Sequence, residues 1–125
     1  MSTHPHGNDA AGLFHVVWGV LVGVLGTAAA ATLLRRAARA AARNRPDLSE
    51  LEGFDIVREG LEYRVILPEA WSGCGEECLR ALAHLVRDEL CPLLVELTGP
   101  VVVRLLARRP ELEPLGIGGE KGASE

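Results

Sequence analysis

The first 34 residues contain neither Lys nor Arg, and Leu13 to Leu34 carries no charge of either sign. The first absence argues against a cleaved secretory leader, which needs a positive start ahead of an apolar core of about 7 to 15 residues. The second leaves LFHVVWGVLVGVLGTAAAATLL as the dominant feature of the chain. As one helix rising about 1.5 Å per residue it reaches roughly 33 Å, enough to cross a hydrocarbon core of about 30 Å.

Catalytic motifs are missing as well. There is no nucleophile elbow, Walker loop, HExxH or dinucleotide fingerprint, and Gly116-Ile117-Gly118-Gly119 lacks the strand and helix of a phosphate loop. Cysteine is scarce, with Cys74 and Cys78 in CGEEC and Cys91 before a proline. A zinc site typically needs four ligands, and Cys74, Cys78, His84 and Cys91 do not share one helical face. Neither a cofactor nor enzymatic activity is expected, with His15, Cys74 and Cys78 as the only candidates for metal or porphyrin ligation. Lysine is almost absent while arginine and alanine abound, which hints at a GC-rich bacterial genome.

What is present follows the apolar run directly. Arg35, Arg36, Arg39, Arg43 and Arg45 form a basic belt, and the positive-inside rule then places the C-terminal part in the cytoplasm and the N-terminus across the inner membrane. From residue 46 onward acidic residues outnumber basic ones two to one. That balance argues against nucleic acid, whose phosphates require a basic face. A structural disulfide is not expected in such a reducing compartment.

The expected organisation is a short extracytoplasmic start (1–12), a transmembrane helix (13–34), a basic juxtamembrane helix and linker (35–53), a small cytoplasmic α/β domain (54–109) and a flexible tail (110–125). Within the domain, FDIV at 54–57 and the alternating LEYRVIL at 61–67 predict a hairpin turning at Arg58-Glu59-Gly60. Leu79, Leu82, Val86, Leu90, Leu93 and Leu97 predict a helix over 76–97, kinked or restarted at Pro92. VVVRLLA at 101–107 reads as a third strand by β-branching, although LLARR also suits a helix. The fold class is therefore a single-pass helix followed by a ββαβ domain with a three-stranded sheet.

Gly12, Gly19, Gly23, Gly26 and Ala30 are spaced by 7, 4, 3 and 4, so one continuous helix carries all five on one face. Such a stripe lets a second backbone approach closely. Val17, Val20, Leu21, Val24, Leu25 and Leu34 then face lipid. His15 and Trp18 sit where an interfacial belt lies, with Arg35, Arg36, Arg39 and Arg43 at the other boundary. Asp88 and Glu89 are adjacent, hence splayed on a helix, and read as a solvated face. The function expected is a non-catalytic membrane subunit packing through its glycine face into a larger complex. The alternative is a self-associating anchor whose domain recruits a soluble partner.

Overall fold

The computed structural model describes residues 9–47, 53–72 and 76–117. Cys74, most of the 46–53 linker and the Gly118-Gly119 end of the tail lie outside them.

The apolar run is two helices. α1 spans Ala10–Leu25 and α2 spans Thr27–Asn44, parted by Gly26 at φ 90°, ψ 161°. That conformation belongs essentially to glycine and lies outside the helical region. α1 begins at Asp9, whose side chain accepts a hydrogen bond from Gly12 N at 2.8 Å. No described helix is long and apolar enough to cross a membrane. The transmembrane assignment of 13–34 is therefore wrong, and with it the membrane-spanning fold class.

The reason is visible in what α1 touches. It packs against α2, α3 (Glu76–Ala83), α5 (Val101–Ala107) and two 3-10 segments, Glu69–Ser72 and Pro110–Leu115. A helix covered on most sides by protein needs apolar residues around most of its circumference, as a lipid-facing helix does. Leu13, Phe14, Val17 and Leu21 are fully buried, and so is Leu34 on α2. Three residues assigned to lipid, Val17, Leu21 and Leu34, thus form core. α2 is amphipathic: Ala30, Ala31, Leu33, Leu34, Ala37 and Ala41 face inward while Arg35, Arg36, Arg39 and Arg43 stay exposed.

The hairpin forms with a shifted turn. β1 (Asp55–Glu59) pairs antiparallel with β2 (Glu62–Ile66), Glu59 opposite Glu62, so the loop is Gly60-Leu61. Gly60 takes φ 67° at the first loop position, as two-residue hairpins of the II′ kind require. Tyr63 and Val65 are half-buried while Glu62, Arg64 and Ile66 are exposed, the alternation of a strand covered on one face.

Among the described residues the sheet has two strands. The expected third strand is α5: Pro100 precedes it, and Val102 and Leu106 bury at helical spacing. β-branching was a weak guide because strand preference mostly measures packing on neighbours, and here α1 and the helix Cys91–Thr98 supply helical ones. Residues 110–117 also differ from the expected loose tail, since Leu112, Leu115 and Ile117 all bury in the core.

The long helix runs as α3, a π-helical segment His84–Leu90, and α4 (Cys91–Thr98). Its widening is explicit where Cys91 N–H donates to Val86 O, five residues back. Pro92 follows at the start of α4, where a missing N–H costs least.

Aromatic side chains tie the layers together. Phe14 of α1 meets Phe54 edge-on with centroids 5.4 Å apart and Trp71 at 6.3 Å, while Phe54 and Trp71 lie 5.9 Å apart. α1, the start of the hairpin and the first 3-10 segment thereby share one cluster.

Candidate functional site

The break at Gly26 divides the glycine stripe. Gly12 is half-buried, Gly26 is the hinge itself, and Ala30 is fully buried on the inner face of α2. Gly19 and Gly23 remain together on α1, exposed, with nothing within 4 Å of where a Cβ would stand. His15, one turn before Gly19, is exposed on the same face, its ring edge-on to Phe14 at 6.0 Å. Trp18 turns inward and stacks on Phe14 at 6.4 Å. His15 thus belongs to an open helix face and Trp18 to the margin of the core.

A second cluster lies on the π-helical segment, and the sequence reading missed it. In an α-helix, at about 100° per residue, residue 89 stands roughly 140° around from residue 84. Bonds spanning five residues bring position 89 back over 84, so Asp88 and Glu89 both flank the buried His84 ring. His84 Nδ1–H donates to Asp88 Oδ2 at 2.9 Å, and Nε2 lies 3.0 Å from Glu89 Oε2 without hydrogen-bond alignment. Glu89 Oε2 also accepts from Asn44 Nδ2 at 2.9 Å, joining the end of α2 to the segment. The splayed reading of Asp88 and Glu89 assumed α-helical periodicity; only the i, i+4 spacing of His84 and Asp88 hinted at the cluster. Both ring nitrogens face carboxylates of their own segment, and the Asn44–Glu89 hydrogen bond ties that segment to α2.

The Asp88 carboxyl is held below the usual carboxylate range, first by the hydrogen bond from Arg87, against burial, and further by the bond from His84. A depressed carboxyl contributes stability above its unfolded value of about 3.9 and loses it as pH falls through the folded value. Urea midpoints measured at pH 7, 5 and 3 are therefore expected to fall more steeply below pH 5 in the wild type than in Asp88→Asn. Equal slopes would remove Asp88 from the acid response. Nearby, Arg45 forms a two-pronged pair with Asp47 at 3.0 and 2.9 Å on the surface, which lowers the Asp47 carboxyl.

Two open cavities follow the seam between α2 and the α4 side. One of about 390 Å³ is lined by Ala28, Ala29, Leu33 and Leu97 with Arg36 at its edge. The other, about 240 Å³, lies between Arg36, Arg43, Asp88, Glu89 and Pro92. Arg36 and Arg43 thus border cavities, whereas Arg35 and Arg39 remain simply exposed.

Among the described residues no three His, Cys, Asp or Glu side chains are placed to hold a metal ion. His15 and Cys78 stand on different helices, α1 and α3. Cys78 is disulfide-bonded. The expectation of no disulfide rested on a cytoplasmic placement inferred from the span, and it loses its ground with the span. Comparison with protein-family models, curated proteins and solved structures returns no match.

Proposed function

We propose that this chain is a non-catalytic packing subunit, seated in a larger protein assembly by a partner helix lying on the His15–Gly19–Gly23 face of α1. The observation that carries this reading is the open space at Gly19 and Gly23. Glycine inside a helix costs about 1 kcal/mol relative to alanine, and no contact among the described residues requires either Cβ to be missing. A second backbone drawn close along this face gives that cost a purpose, because small residues allow the nearest helix approach. Half-exposed Val24, 48% accessible, adds apolar surface beside Gly23.

Gly23→Leu separates docking from folding. The substitution enters open space and improves helix propensity by up to about 1 kcal/mol, so the variant is expected to be as stable as wild type or more so. Purified from its host under native conditions, wild type is expected in a stoichiometric assembly with cross-links adjacent to α1. Gly23→Leu is expected alone. A variant that keeps every partner and the same native size would sink the reading. An assembly containing only this chain, lost in Gly23→Leu, would identify the partner helix as a second copy.

A further inference from the structure

We propose that the trough along the α2–α4 seam binds a single-chain anionic amphiphile, a long-chain carboxylate, with its head on Arg36 and its tail over Ala28, Ala29, Leu33 and Leu97. This site is separate from the glycine face of α1 and does not depend on the assembly proposed above.

The apolar half of the trough is about 390 Å³, within the range of about 300–1,000 Å³ typical of small-molecule sites. Its two hydroxyl-bearing residues do not make it polar. Thr32 Oγ1 donates to Ala28 O at 3.0 Å and Thr98 Oγ1 donates to Leu94 O at 2.7 Å. Both protons are spent on their own helices. Leu97 is 61% exposed, a large apolar side chain that the rest of the fold leaves uncovered.

Charge selects the occupant. Arg36 belongs to the linings of both cavities and stands where the apolar half meets the polar half. Among the described residues its guanidinium makes no ion pair, in contrast to Arg45, Arg64, Arg87 and Arg109. Asp88 and Glu89 across the second cavity are engaged by Arg87, His84 and Asn44. A planar guanidinium accepts a carboxylate through two parallel hydrogen bonds, and a chain running from that head meets only apolar wall. An uncharged chain would leave Arg36 unpaired, and a free inorganic anion would leave the apolar half open.

Calorimetric titration of the full chain with decanoate, dodecanoate and tetradecanoate, each below its micelle concentration, tests the assignment. One site is expected, tightening roughly fourfold for each methylene that enters the trough. Arg36→Gln is expected to weaken dodecanoate binding at least tenfold, bringing it level with dodecanol on wild type. Ala29→Trp, which fills the trough from an exposed helix position, is expected to abolish binding, with the helical circular dichroism of both variants unchanged. Absence of a saturable site, or equal affinity in Arg36→Gln, overturns the proposal. So does binding to anionic phospholipid vesicles that survives Ala29→Trp while free dodecanoate does not bind, since that pattern describes a membrane surface held by the exposed arginines.

Discussion

Phe14→Ala is expected to lower the unfolding free energy by about 3–5 kcal/mol, the usual cost of emptying a buried aromatic site. Phe14 is fully buried and meets Phe54 and Trp71 across two other elements. The loss therefore includes the transfer of the ring, the cavity left behind, and ring–ring geometry worth about 0.5–1.5 kcal/mol per pair. Small domains have only about 5–15 kcal/mol in total, so the variant stands near the edge of folding. Urea unfolding followed by tryptophan emission reads the effect directly, because Trp71 and Trp18 both adjoin Phe14. The experiment also opposes two pictures of the same residue. A phenylalanine on the lipid face of a spanning helix would lose little; a change below about 1 kcal/mol would contradict the core described here.

Gly26→Ala and Gly19→Ala are expected to have opposite signs. Gly26 sits at φ 90°, ψ 161° with open space around it. An added methyl meets no neighbour, and the whole cost is the backbone conformation that alanine resists, about 1–3 kcal/mol. Gly19 lies inside α1 with equally open space, and there alanine is expected to stabilise by up to about 1 kcal/mol. Urea midpoints of the two single variants measure the contrast. In one continuous helix both substitutions would favour the helix alike, so a stabilising Gly26→Ala would mean that α1 and α2 are not separated by this residue.

Much of the secondary structure was legible. The hairpin was readable from the alternation at 61–67, and the helix over 76–97 from its apolar stripe, with Pro92 marking the restart of α4. α5 was not, because Val101, Val102 and Val103 carry a strand-like composition that tertiary packing overrode. The candidate site was half legible. Gly19 and Gly23 were identified on their helix face, but Gly26 and Ala30 left it when the helix broke. His84 with Asp88 and Glu89 stayed hidden because their meeting depends on a π-helical turn, and residue spacing does not announce one.

By itself the sequence determined where apolar surface, charge and chain breaks lie: an uncharged run to Leu34, arginines after it, a glycine at 26 and a proline at 92. Only the tertiary structure decided what covers the apolar run. Lipid and a surrounding shell of helices make the same demand on side chains, so composition cannot distinguish them. The distinction lies in whether the backbone at Gly26 continues or turns, and α2, α3, α5 and the two 3-10 segments packed on α1 supply the burial that favours the turn.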